Sequence, residues 1–156
     1  MLRSIDVKSS ADVDLARDLF REYQSSLGID LCFQEFDKEL AELPGEYSPP
    51  DGRLILGYWA SDLAGCVALR KIDDATCEMK RLYVRPAFRG KKIGRTLAEI
   101  IIGEARRMGY ARMRLDSLPS MKEAIALYRS LGFRAIGPYR YNPIEGSMFM
   151  ELDLKW

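Results

Sequence analysis

The residues best placed to do chemistry are Arg89, Gly90, Lys91, Lys92, Ile93, Gly94 and Arg95. They follow a strand-like run at 79–84 and the turn Arg85-Pro86-Ala87-Phe88, and they open into an amphipathic helix that begins near Ile93. Backbone N–H groups converge at a helix start, where the dipole is positive, and such a site binds anionic oxygens. The two glycines let the chain approach a ligand with no Cβ in the way. The loop is not a Walker A motif, because no Gly-Lys-Ser/Thr closes it. Nor is it the dinucleotide fingerprint: three residues separate the two glycines, and the flanking strands read as antiparallel-rich. A phosphate-bearing cofactor is the expected ligand; a basic turn on the solvated surface is the alternative.

Two further residues carry usable groups. Tyr128 places a phenol at the edge of an apolar helical stripe, able to donate a proton into a partly dry site or simply to pack in the core. Glu78 lies four residues before Leu82, so strand parity predicts that both side chains share a face. It could instead pair with Lys80 or Arg70 across the sheet. The chain has no histidine. That excludes Ser-His-Asp and Cys-His catalysis and His-based zinc sites. A general base must then be a carboxylate, a tyrosine, a lysine, a terminal amine or an ordered water.

The elements that must position these groups follow from periodicity. Residues 2–7 read as a strand. From Asp12, the positions Val13, Ala16, Leu19, Phe20, Tyr23 and Leu27 recur at helical spacing up to Gly28. A weaker helix covers about 34–43 and stops at Pro44-Gly45. Runs at 53–60 and 63–70, separated by Ser61-Asp62, predict a β-hairpin, and 75–84 a third strand. A helix over 93–108 carries Leu97, Ile100, Ile101 and Ala105 on one face and ends at Gly109. A strand at 111–116 leads to a capping-box pattern, Ser120 with Glu123, and a helix closed by Gly132. A short strand from Phe133 and an alternating one at 148–154 complete a mixed α/β reading.

Bulk properties bound the rest. The 156 residues fit one domain, residues 1–156, with a full core. The net charge of +1 offers no global attraction to nucleic acid or an anionic membrane. Cys32, Cys66 and Cys77 are odd in number and scattered, as free thiols of a reducing, cytoplasmic compartment would be. No apolar signal region opens the sequence, and no run is long enough to span a bilayer.

Three motifs together resemble the GNAT superfamily of acetyl-CoA-dependent N-acyltransferases. Residues 89–94 and Leu97 are similar to its cofactor loop. Glu78-Met79-Lys80-Arg81-Leu82-Tyr83-Val84-Arg85-Pro86 resembles its fourth strand, and Leu127-Tyr128 through Gly132-Phe133 its second signature. The resemblance covers nearly the whole chain. It implies a mixed, largely antiparallel sheet of six to seven strands flanked by about four helices. It implies acetyl-CoA as co-substrate, bound by the backbone of Leu82, Tyr83 and Val84 on a splayed strand and by residues 89–95. It makes Tyr128 the acid that protonates departing CoA thiolate, and Glu78 or an ordered water the base, a role that a raised carboxyl pKa would help. Two positions depart from the pattern. Lys92 replaces the middle glycine, and Met121 stands where a cofactor-contacting Asn is common, with Ser120 covering part of that role.

The expected reaction is direct transfer to a primary amine of a small molecule, with no metal and no acyl-cysteine. Asp30, Phe33, Tyr47, Tyr139, Arg140, Tyr141 and Asn142 are candidates for the acceptor side, with Arg140 able to hold a carboxylate. A non-catalytic acyl-CoA sensor, a protein N-terminal or lysine acetyltransferase and a nucleic-acid-binding module are the alternatives. A C-terminal strand edge could support a homodimer.

Overall fold

The computed structural model describes residues 1–28 and 35–155. Its strands are β1 (Leu2–Asp6), β2 (Arg53–Trp59), β3 (Asp62–Lys71), β4 (Thr76–Val84), β5 (Arg112–Ser117), β6 (Arg134–Ile136) and β7 (Met148–Asp153). Its helices are α1 (Ser10–Leu27), α2 (Phe36–Glu42), α3 (Ile93–Arg107) and α4 (Lys122–Ser130). The strands form one seven-stranded sheet in the order β1-β2-β3-β4-β5-β7-β6. Every pairing is antiparallel except β4 with β5, which is parallel. This is the mixed, largely antiparallel sheet flanked by helices that the sequence predicts. Among the described residues no helix is long and apolar enough to cross a membrane.

Alternation on the central strands separates two apolar layers. Leu54, Leu56, Cys66 and Ala68 face α1 and α2, where Ala16, Leu19, Phe20, Phe36 and Leu40 cover them. Ile55, Val67, Leu69, Cys77 and Met79 face α3, against Leu97, Ala98, Ile101 and Ala105. Helix α1 starts earlier than its apolar period suggests, because Ser9 and Asp12 form a reciprocal capping box; Gly28 closes it in the left-handed region. The buried thiols of Cys66 and Cys77 donate to the carbonyls of Arg81 and Arg112. Burial pushes both thiols up, which makes them poor nucleophiles.

Two expectations are corrected here. Ser120 does not cap α4: the N-cap is Met121, and no side chain bonds the first turn. The Met121 N–H is used in a tight turn back to the Leu118 carbonyl, so the helix starts after Ser120 could cap it. The last strand is not an edge either. β7 lies between β5 and β6 with ladders on both sides, so the edges are β1 and β6 and the reason given for a dimer falls away.

The feature that builds the site is a bulge on β4. Cys66 stands opposite Tyr83 and Ala68 opposite Lys80, so the single residue Val67 on β3 faces two on β4, Arg81 and Leu82. Arg81 absorbs the extra residue at φ 59°. Parity is broken at that point: Leu82 and Val84 pack with the α3 layer, while Tyr83 packs with the α1 layer. Glu78 and Leu82 therefore do not share a face, contrary to the expectation from an unbroken strand. Beyond the bulge the sheet also opens. The β4–β5 ladder runs only from Thr76 with Arg112 to Glu78 with Arg114, leaving a cleft between the distal half of β4 and the end of β5.

Candidate active site

The basic loop lies at the mouth of this cleft. Gly90 sits at φ +87° with open space where a Cβ would be, and Lys92 occupies the left-handed region at φ 59°, ψ 25° as the N-cap of α3. No side chain caps α3, so its first amides remain available to an anion. The cations are held apart by different supports. Arg89 Nε donates to the Val84 carbonyl at 3.2 Å, and Lys91 Nζ stands 5.5 Å from the Trp59 ring centre. Arg95 Nη1 donates to Ser130 Oγ at 2.8 Å, tying α3 to α4.

The loop thus sets four cations around an uncapped helix start, and lysine at the middle position is sterically admitted at a backbone cost. Lys92→Gly is expected to raise unfolding stability by about 0.5–1 kcal/mol in a urea titration, by relieving the left-handed strain. It should also weaken CoA binding a few-fold in calorimetry, because the charge near the helix start contributes about 0.3–1 kcal/mol.

Inside the cleft, a small cavity is bounded by Lys80 and Leu82 of β4, Asp116 and Ser117 of β5, Met121 and Tyr128. Tyr128 is 6% exposed, and its ring meets Phe133 edge-on at 5.8 Å between centroids. Burial, helped by the nearby Tyr23 and Asp116, pushes its phenol up, so the proton is retained at neutral pH. Asn142 Nδ2 donates to Asp116 Oδ2 at 3.2 Å, fastening the segment before β7 across the end of β5.

On the α2 side of β4 lies a second, larger cavity of about 450 Å³. Its wall includes Arg70, Lys80, Arg140 and Tyr47, and its rim Glu35, Glu42 and Glu46. Beside it Glu78 is fully buried. Arg70 Nε donates to Glu78 at 2.7 Å, Tyr139 Oη at 2.5 Å, and Arg140 Nη1 to both oxygens at 3.2 Å. Burial would push this carboxyl up, but Lys80, Arg70, Arg140 and the Tyr139 hydroxyl outweigh it and bring it down to about 2. The raised pKa expected of a carboxylate base is therefore not what this environment produces. Lys80 shows the opposite balance: burial, Arg81 and Arg140 pull its amine down to about 7 against Glu78 and Asp116. Lys80 is the one described residue that lines both cavities.

Arg81, 4% exposed, clamps α2 to the bulge by two bonds of 2.9 Å to Glu39, with its guanidinium 5.0 Å from the Phe36 ring centre. Glu22 of α1 does the same further along, accepting from Arg85 at 3.1 and 2.8 Å and from Tyr83 at 3.4 Å.

The structure brings Leu82 and Tyr128 to the wall of one cavity, with residues 89–95 held to the end of β4 through Arg89 and the Val84 carbonyl. It places the Tyr83 side chain on the opposite face and leaves Ser120 exposed beside the cleft. Of the acceptor-side candidates, Tyr47 and Arg140 line the larger cavity and Asn142 the smaller, Tyr139 bonds Glu78, and Tyr141 is 72% exposed. Asp30 and Phe33, like Cys32, lie outside the described residues. Sequence reasoning named Lys80 and Arg70 only as alternative partners for Glu78, which Arg70 is, and did not name Asp116. A signal was present: Glu78, Lys80 and Arg81 put three charges inside a nine-residue strand whose other face is apolar. Charges there need buried partners.

A helix start aimed at a splayed parallel strand pair, with a proton-bearing phenol at the cleft, defines an acyl-CoA-dependent acyltransferase. Residues 14–133 match the Acetyltransferase (GNAT) family, and the chain belongs to it. An uncharacterized N-acetyltransferase of Schizosaccharomyces pombe is 41% identical over 95% of this chain and 92% of its own. Among solved structures, a GNAT-family acetyltransferase of Staphylococcus aureus superposes with a TM-score of 0.82 at 19% identity, covering 99% of this chain and 100% of that one. The Salmonella typhimurium yncA structure, a putative acetyltransferase with its cofactor acetyl-CoA, gives 0.68 at 21% identity over 100% and 95%. The protein is an acetyl-CoA-dependent N-acetyltransferase.

Proposed function

We propose that the protein moves the acetyl group of acetyl-CoA to a primary amine of a small molecule, by direct attack while both substrates are bound. The observation that carries this reading is that Lys80 lines both cavities, so an acceptor in the larger one would lie beside the cleft proposed for the thioester. Acetyl-CoA supplies the activated acetyl thioester. Residues 89–95 hold its pyrophosphate, and the unpaired edge of β4 around Leu82 and Val84 offers N–H groups to its arm and to the carbonyl oxygen, a donor role often worth ~10²–10³ in rate. Tyr128 gives its proton to the departing thiolate. Cys66 and Cys77 remain thiols, as in a reducing cytoplasm.

The acceptor ammonium must lose a proton before it attacks, and Lys80 takes it. Glu78, at about 2 and bonded on both oxygens, serves instead to position Arg70, Arg140 and Tyr139. Lys80 accepts only when neutral, so kcat/KM is expected to rise as pH passes upward through about 7. The groups facing Lys80 are Glu78 and Arg81 from its own strand, Asp116 from β5, and Arg70 and Arg140 across the larger cavity. Lys80→Met should remove that limb and lower the rate by ~10². The direct test measures thiol release from acetyl-CoA with a panel of small primary amines, varying both substrates. Intersecting initial-rate lines support the reading. Parallel lines, or turnover confined to proteins and peptides, overturn it.

A further inference from the structure

On the floor of the larger cavity two fixed cations converge on a single buried anion. Arg70 arrives from β3 and Arg140 from the segment between β6 and β7, and both converge on one buried carboxylate, Glu78. The second partner of Arg70 is Glu46, whose side chain is 72% exposed at the rim. Glu39, on the same wall, is already occupied by Arg81 through two bonds. Guanidinium groups do not deprotonate in proteins, so two permanent cations share one buried anion.

Arg140 is also under-used. Among the described residues only its Nη1 is bonded, to the two oxygens of Glu78, while a guanidinium carries five N–H donors in a planar fork. That fork matches the two oxygens of a carboxylate. The other end of the site has the opposite character: across Lys80, Asp116 borders the cleft, held by Asn142. An anion-accepting floor and an acid-bordered cleft thus lie on either side of one residue. The rim carries three acids, Glu35, Glu42 and Glu46, beside one cation, Lys38, a balance that disfavours a multiply charged anion and admits a molecule whose charges balance.

We infer that the acceptor is an amine that also carries a carboxylate, of the amino-acid class: its carboxylate docks on Arg140 and Arg70 at the cavity floor, and its amine faces the cleft at Lys80 and Asp116. The inference rests on the proposed function above and narrows its acceptor. A cavity of about 450 Å³ has room for a compact molecule of this kind. Docking brings a counter-charge to Arg140 without taking Glu78 from Arg70. It leaves Lys80 at the junction to receive the amine's proton.

The test uses matched pairs, each proteinogenic amino acid beside its carboxamide, as acceptors for the intact protein with acetyl-CoA. At least one acid is expected to be preferred over its amide by ~10-fold or more in kcat/KM, since the amide cannot make the charge-assisted fork. Arg140→Ala should collapse that ratio toward one, chiefly through the KM of the acid. Should Arg140→Ala fail to fold, Arg140→Lys, which keeps the charge and loses the fork, is expected to reduce the ratio. Simple monocarboxylates without an amine, such as propionate and butyrate, should compete with the amine acceptor and not with acetyl-CoA. Amides used as well as acids, or an unchanged ratio in the folded Arg140 variant, overturn the carboxylate subsite alone. Thiol release with other small primary amines but with none of the acids overturns the subsite and leaves the proposed function standing, whereas release with no small amine at all while CoA binds overturns both.

Discussion

Exchange of Tyr128 for phenylalanine is expected to lower kcat by ~10²–10⁴, the usual worth of a positioned proton donor. The substitution removes one oxygen and leaves the ring that packs edge-on to Phe133 at 5.8 Å. Stability should therefore change by no more than about 1 kcal/mol in thermal or urea unfolding. Binding of CoA, which the proposed function assigns to the loop and the open edge of β4, should stay near its original value. Because burial pushes the phenol up, the proton is available throughout the neutral range, and the loss should be of similar size at every pH from 6 to 9. Thiol-release kinetics on the two proteins decide the matter. Full turnover in the variant would remove Tyr128 from the mechanism.

The second large effect concerns Glu78 and falls first on folding. Glu78→Gln keeps the shape of the side chain and removes the one buried anion that Arg70, Arg140 and Tyr139 share. Breaking a buried charge cluster by removing one partner costs about 3–5 kcal/mol, so a loss near the lower figure is expected in a urea titration at pH 7. The sign with pH is fixed by the depressed pKa. In the folded state the carboxyl titrates near 2, below its unfolded value, so its contribution is complete above the unfolded carboxylate range and disappears as pH falls toward 2. Wild-type and variant stabilities should accordingly converge in acid. The rise of kcat/KM should persist in the folded variant but move to lower pH, since that limb belongs to Lys80 and Glu78 is the first of the groups that hold its amine up. Its disappearance in Glu78→Gln, with the fold intact, would return the base role to the carboxylate.

Much of this molecule was readable from its residues. The basic Gly-containing loop, the helices on either side of it and the Tyr128 stripe have local signatures, because amphipathic period and turn chemistry are set within a few neighbours. The bulge was not legible. It needs one extra residue on β4 relative to β3, a relation between two strands that neither strand states alone. From that single miss followed the wrong facing of Glu78 and Leu82. The clustering of Arg70, Lys80 and Arg140 escaped for a similar reason, since residues 70, 80 and 140 meet only after the sheet closes. Ser120 had the spacing of a cap, yet the turn at Leu118 consumed the backbone that a cap would serve. The seating of β7 between β5 and β6 cannot be read from alternation, which reports a strand's two faces and not its neighbours.

That seating has a consequence for how the sheet is completed. β6 pairs with β7 and with no other described strand, so it joins the sheet only through β7, and the stretch between the two delivers Tyr139, Arg140 and Asn142. One wall of the larger cavity therefore forms only when residues far apart in the chain have met, a closure that is slow compared with forming helices. The basic loop and the Tyr128 helix rest on local contacts and need no such meeting, so loosening the β5–β7 ladder should disturb Arg140 and Asn142 before it disturbs them.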